Sequence, residues 1–149
     1  MHTPFTIQSA QTADLPALID LDPIARREPG RCQTLGDAIA AQSCWLAEAS
    51  GSAEALGYGI LNRSFFQQHF IPLLMVAETT RGRGVASSLM LALEAQCAGG
   101  KLFTSANESN APMRRLLRKL GYRESGRIEN LDDGDPELVF MKLAERRTG

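Results

Sequence analysis

Arg81-Gly82-Arg83-Gly84 is the stretch of this chain best suited to hold a ligand. Two glycines let the backbone come close to a bound group and turn its N–H groups outward. The residues after Gly84 read as a helix, whose N-terminus carries a partial positive charge. Outward N–H groups, a helix end and two guanidiniums suit an anion, a diphosphate above all. A Walker loop would need a lysine followed by serine or threonine after the second glycine, and Val85-Ala86 stands there instead. The dinucleotide pattern needs a third glycine where Ser87 stands, and it belongs to the first βαβ unit of a longer chain. A tight strand-to-helix turn with two solvated arginines is the plain alternative. Elsewhere, His69 stands immediately before an apolar run, and imidazole titrates in the range a general base needs. An exposed hairpin residue is the other reading of His69. Arg114, Arg115, Arg118 and Lys119 form a basic stripe, of the kind that is usually a solvated helix face. Cys32, Cys44 and Cys97 are odd in number, far apart and without a CxxC pair. That argues against a disulfide scaffold and against structural zinc, so no metal is expected and the thiols read as free.

The elements that must carry these residues are legible from periodicity. Phe5 to Gln8 alternates as a strand, and Asp14 opens a helical pattern through Leu15, Leu18, Ile19 and Leu21. Asp22 to Gln33, with Pro23, Pro29 and Gly30, reads as loop, and a second short helix is expected at Leu35 to Ala41. Cys44 to Ala47 and Leu56 to Leu61 read as strands across the turn Ser50-Gly51-Ser52. Phe70 to Ala77 is an unbroken apolar run, the mark of a strand buried on both faces. Pro72 within it cannot donate to a ladder and signals a bulge or a local splay. After the glycine loop, Ala86, Met90, Leu93 and Cys97 recur at helical spacing up to Gly99-Gly100. Leu102 to Ser105 is a further strand. Asn110 reads as an N-cap, with Pro112 in the first turn, one apolar stripe at Met113, Leu116, Leu117 and Leu120, and Gly121 as the stop. Strands at Tyr122 to Ile128 and Leu138 to Leu143 flank the turn Asp132-Asp133-Gly134-Asp135, and the polar tail from Glu145 to Gly149 is expected to fray. The order β-α-α-β-β-β-α-β-α-β-β implies an α/β fold, a mixed sheet with helices on its faces.

A length of 149 residues suits one domain over 1–149, and 44% apolar residues suffice for its core. A net charge of -1 gives no electrostatic reason to expect nucleic acid or an acidic membrane as partner. No apolar run approaches the length of a membrane span, and Met1-His2-Thr3-Pro4 resembles no secretory leader, so a cytoplasmic protein is expected.

Two of these motifs together resemble a known family. Arg81-x-x-Gly84-x-Ala86, after the strand Leu73-Leu74-Met75-Val76, is similar to the acetyl-CoA motif of the GNAT acetyltransferases. Asn110-Ala111-Pro112-Met113 running to Leu120-Gly121-Tyr122 is similar to the second signature of that family. Phe65-Phe66, Phe103 to Asn110 and Ile128 to Asp132 resemble a bacterial branch of it. The resemblance implies the GNAT fold with a splayed central strand pair, and transfer of an acetyl group from acetyl-CoA to a primary amine by direct attack. It implies pantetheine along Leu74, Met75 and Val76, and pyrophosphate on Gly82, Arg83, Gly84, Val85, Ala86 and Ser87 beside Arg81. It also implies cofactor contacts at Asn107 and Asn110, and a homodimer as a common assembly. The tyrosine that many relatives use as general acid corresponds to Leu117, and neither central strand holds a glutamate. His69 is then the nearest candidate base. Glu28, Glu129, Asp132, Asp133 and Asp135 fall on segments bordering the family's acceptor cleft, where they would favour a cationic amine or are simply solvated. A sensor that binds acyl-CoA without transferring it is the alternative function.

Overall fold

A computed structural model describes residues 4–144; the tail from Glu145 lies outside them. The strands are β1 (Phe5–Ser9), β2 (Cys44–Ala49), β3 (Ala55–Phe65), β4 (Gln68–Val76), β5 (Gly100–Asn107), β6 (Arg123–Ile128) and β7 (Glu137–Ala144). The helices are α1 (Leu15–Leu21), α2 (Pro29–Ala40), α3 (Val85–Ala95) and α4 (Ala111–Lys119). The seven strands form one mixed sheet ordered β1-β2-β3-β4-β5-β7-β6. β4 and β5 run parallel, paired at His69↔Leu102, Phe70↔Phe103 and Ile71↔Thr104. The element order is the one the periodicity implies. Two compact units divide the chain, one formed by residues up to Leu61 with Leu73–Leu93, the other by Asn62–Pro72 with the residues from Glu94 on.

In the first unit, α1 and α2 bury Leu18, Leu35 and Ile39 against Leu46, Tyr58 and Ile60, and Leu73 and Met75 of β4 pack on the same cluster. Val85 and Leu89 of α3 pack with Ala47, Ala49 and Leu56, joined by Leu74 and Val76. The twofold period of a strand explains the division, since alternate β4 residues face opposite sides. Two β3 glycines make room for α3. A Cβ on Gly57 would lie 2.8 Å from the Met75 carbonyl oxygen and 3.2 Å from a Leu89 methyl, and one on Gly59 would lie 2.8 Å from Leu93 Cδ1. The segment after α1 is held by a buried carboxylate. Asp22 accepts from Tyr58 Oη (2.6 Å), Arg31 Nη1 (2.8 Å), and the Ile24 and Ala25 N–H groups (2.9 and 3.3 Å). Burial pushes the Asp22 pKa up, but the Tyr58 hydroxyl, the Ala25 N–H, Arg31 and the Ile24 N–H together outweigh it, and the net shift is downward.

In the second unit, Leu102, Thr104 and Phe140 are buried on one face of β5 and β7. The Thr104 hydroxyl donates to Ile71 O at 2.8 Å, beside the Ile71↔Thr104 pair. Asn110 caps α4 by accepting from Met113 N at 3.2 Å. The other end closes as a Schellman turn: Gly121 takes φ +95°, its N–H donates to Arg118 O (3.1 Å), and Tyr122 N–H donates to Leu117 O (2.9 Å). Leu117 is fully buried, and Tyr122, also buried, donates its hydroxyl to Glu94 Oε2 at 3.1 Å. Lys142 Nζ pairs with Glu94 Oε1 at 2.8 Å.

Four local expectations change. α2 begins at Pro29, inside the stretch read as loop, because a proline is preorganised for the first helical position. A 3₁₀ turn at Thr12–Asp14 precedes α1, which begins at Leu15 rather than Asp14. α3 stops at Ala95, so Cys97 is buried beyond the helix, not on it. The run from Phe70 is not buried on both faces: only Ile71 of β4 is buried, Leu73 to Val76 are half-buried and Pro72 is exposed.

Leu117→Ala is expected to cost about 2–5 kcal/mol, as truncation of a fully buried leucine does, read from urea unfolding. Asp22→Asn is expected to cost about 1–3 kcal/mol at neutral pH. The folded-state pKa of Asp22 is lowered from 3.8, so its contribution is complete above 3.8 and is lost as pH falls through the folded value. The gap between mutant and wild type should therefore narrow in acid-unfolding curves below that pH.

Candidate functional site

The glycine loop joins the end of β4 to α3 within the first unit. Ala77 N–H donates to Leu56 O (2.8 Å), Thr80 N–H donates to Ala77 O (2.9 Å), and the buried Thr80 hydroxyl donates to Leu56 O (3.2 Å) and Ala77 O (2.9 Å). Thr80 therefore ties the approach to the loop onto β3. Gly82 and Gly84 then take φ +85° and +79°, a region that disfavours side chains. A Cβ on either would meet nothing within 4 Å, so these glycines serve backbone shape and leave open space above it. Ser88 N–H donates to Gly84 O at 3.0 Å, the first bond of the helix ladder. By helix geometry the N–H groups of Val85, Ala86 and Ser87 precede that ladder and point out of the helix end. Arg81 is exposed and Arg83 half-buried beside them. The loop thus offers oriented N–H groups, cationic side chains and space, the donor set that a diphosphate requires.

Leu74, Met75 and Val76 precede this loop in the same unit, with side chains held on both faces of the strand. His69, Asn107 and Asn110 belong to the second unit. His69 is the second residue of β4, half-buried, with Nε2 at 3.3 Å from Arg63 Nη1. Burial and the Arg63 charge hold its pKa below 6.5. Asn107 Nδ2 donates to Asp132 Oδ2 (2.9 Å) and Asp135 O (3.4 Å), and the Asn110 carbonyl oxygen is committed to its cap. The acids of the β6–β7 segment are largely engaged: Asp135 accepts from Ser109 N (3.0 Å), and Glu129 pairs with Arg127 at 2.7 Å. Thr80, Gly57 and Gly59 were missed as positioning residues. The Gly-x-Gly pair within a strand was the one signal that pointed to them. Among the described residues, no cluster of three or more metal-binding side chains occurs and no helix is long and apolar enough to cross a membrane.

Residues 11–122 match the model of the acetyltransferase (GNAT) family. The chain belongs to that family. No curated protein matches it. Among solved structures, a GNAT-family acetyltransferase from Bacillus cereus is similar at 29% identity and TM-score 0.88, over 96% of this chain and 99% of that one. The ribosomal-protein-S18-alanine N-acetyltransferase from Escherichia coli shares the fold at 18% identity and TM-score 0.73, over 98% and 97% of the two chains. A GNAT-family acetyltransferase from Streptococcus agalactiae shares it at 17% identity and TM-score 0.76, over 98% and 99%. In this GNAT chain the open space at Gly84 gives a direct test. Gly84→Asp adds a negative charge and a side chain at φ +79°. Titration calorimetry with acetyl-CoA is expected to show at least a tenfold loss, about 1.4 kcal/mol, with the cooperative melt retained. Unchanged affinity would separate the loop from cofactor binding.

Proposed function

We propose that the protein transfers an acetyl group from acetyl-CoA to a primary amine by direct attack in a ternary complex, as a single catalytic domain over 1–149. The observation that carries this reading is the loop of Gly82 and Gly84, left-handed, open above its backbone and set at the start of α3. The loop fits a pyrophosphate: the N–H groups from Gly82 to Ser87 would hold it, with Arg81 and Arg83 supplying charge. Backbone groups of Leu74, Met75 and Val76 would pair with the pantetheine arm, and Asn107 and Asn110 would contact the cofactor. Bound there, acetyl-CoA supplies an activated thioester.

A β4 N–H near Leu74 or Val76 is the proposed donor to the developing oxyanion. Fixed orientation of two reactants is worth about 7–11 kcal/mol by itself, so the chain needs little else beyond a proton acceptor. His69 is the side chain proposed for that role. Its lowered pKa favours the neutral ring. A guanidinium only donates, so Nε2 accepts from Arg63 and Nδ1 carries the hydrogen, and Nε2 is the nitrogen that would take the proton once it leaves Arg63. The acceptor amine is the open variable, and Glu28 and Asp133 are the carboxylates proposed to favour a cationic one.

A second reading has its own support. Leu117 occupies the position of the family's acid and is fully buried, and neither β4 nor β5 carries a carboxylate. A sensor that holds acyl-CoA without transfer would need no such groups. Thiol release measured with acetyl-CoA and a panel of amines decides between the two, because a sensor binds the cofactor and releases none.

With one good acceptor in hand, His69→Gln is expected to lower kcat by about 10²–10⁴-fold, the usual size of a general-base contribution. The wild-type rate should fall as pH drops through a value below 6.5, where His69 becomes protonated. A mutant within a few-fold of wild type at every pH would remove His69 from the mechanism and leave positioning with a water relay.

A further inference from the structure

The segment between α1 and α2 is braced from within. Arg31 of α2 reaches back to the buried Asp22 at 2.8 Å, which closes the chain from 22 to 31 into a loop. Arg26 N–H donates to Asp22 O (3.1 Å), Glu28 N–H to Ile24 O (2.8 Å), and the Cys32 thiol to Ala25 O (3.1 Å). A loop crossed by so many bonds holds one shape, and a hollow that it borders is preformed. A pocket of about 490 Å³ opens there, between the start of α1 and the first turns of α2. Buried Ala25 and half-buried Leu15, Cys32 and Gly36 give it an apolar inner wall, and exposed Arg26, Arg27 and Glu28 stand at its rim. Apolar walls with a few polar groups, at this volume, are the usual make-up of a small-molecule site. Leu15 and Cys32 pack on the same cluster as Leu73 and Met75, so the pocket and β4 flank one core.

Gly36 supplies an independent observation. It lies inside α2, where glycine weakens a helix relative to alanine. Its backbone is not left-handed, and a Cβ there would have Leu15 Cδ2 at 3.9 Å as its one neighbour within 4 Å, an ordinary contact. Neither backbone nor packing therefore asks for glycine. What the missing methyl preserves is room in the pocket. A local choice that opposes the helix without serving the fold marks a functional position.

The rim carries both signs of charge, and neither is engaged. Among the described residues, the side chains of Arg26, Arg27 and Glu28 take part in no ion pair or hydrogen bond. Glu28 occupies the N-cap position of α2 without bonding the helix end. Gln33, also at the pocket, is turned to Asp37 at 2.8 Å. An amine alone would meet two guanidiniums here, and a carboxylate alone would meet Glu28. A zwitterion satisfies both signs, and an apolar body suits the inner wall.

We propose that this pocket receives the acceptor, and that the acceptor is a free α-amino acid with an apolar side chain. Its ammonium would meet Glu28, its carboxylate Arg26 and Arg27, and its side chain the wall of Leu15, Ala25 and Cys32. The assignment rests on the acetyl-transfer reading and names the amine that reading leaves open. It also separates classes of acceptor. A protein N-terminus has no carboxylate on its first residue, and a polyamine has none at all, so both leave the two arginines without a partner.

Binding can be read apart from transfer. Cys32 is half-buried while Cys44 and Cys97 are buried, so the rate of iodoacetamide labelling at Cys32, mapped by mass spectrometry on the full chain, reports on the pocket. Leucine is the probe, added with and without desulfo-coenzyme A. It is expected to slow Cys32 labelling saturably. Leucinamide and isocaproate, which each lack one of the two charges, should bind at least about tenfold more weakly. Arg26→Gln with Arg27→Gln should weaken leucine and abolish its advantage over leucinamide. Gly36→Ala should melt higher than wild type yet bind leucine less tightly, which separates the site from the fold. No protection by leucine under either condition, or equal protection by leucinamide or isocaproate, overturns the proposal. Protection by leucine without thiol release from acetyl-CoA overturns the transfer reading instead and leaves the ligand class standing.

Discussion

The close approach of β3, β4 and α3 in the first unit is the constraint on which the glycine loop before α3 depends. It exists because Gly57 and Gly59 carry no side chain: a Cβ at Gly57 would fall 2.8 Å from the Met75 carbonyl oxygen. The missing atoms let Leu89 and Leu93 sit against the sheet, and that fixes where α3 begins. Thr80 completes the arrangement by bonding its hydroxyl to Leu56 O and Ala77 O. The outward N–H groups of the loop are thus set by packing on the neighbouring strand β3, not by the loop itself.

The two units solve the problem of buried charge differently. Asp22 in the first is surrounded by a phenol, a guanidinium and two N–H groups, so a full negative charge is stable in a core position. Burial and the neighbouring Asp22 in turn push the Tyr58 phenol upward, which keeps it a donor. In the second unit, Glu94 takes one bond from Lys142 and one from Tyr122 and so fastens the end of α3 to β7 and to the residue just past α4. Both networks hold elements in place without entering the proposed chemistry.

Much of this was legible in the sequence because it is local. Element order followed from periodicity, the α4 cap and stop from Asn110 and Gly121, and the tight turn before α3 from Gly82 and Gly84. What was not legible is pairwise and distant. Nothing near Thr80 says that its hydroxyl will meet Leu56, and nothing near His69 names Arg63 as the group facing its ring. The start of α2 was lost because Pro29 and Gly30 read as breakers, although a proline is at home in a first helical turn. The aromatic cluster was invisible for the same reason: Phe65, Phe70 and Phe103, all half-buried, become ring neighbours only through strand register.

Pro72 has a consequence for the energetics of ligand capture. It stands exposed in mid-strand, and a proline has no N–H, so β4 is one donor short at that point whether or not anything is bound. An ordinary residue there would seek a ladder partner, and any ligand that used the neighbouring backbone would first have to break that bond. With proline in place the interruption is permanent and is met once, during folding. A ligand lying along the strand after it would therefore find its binding surface already preorganised, and its affinity would not be reduced by the cost of opening a sheet.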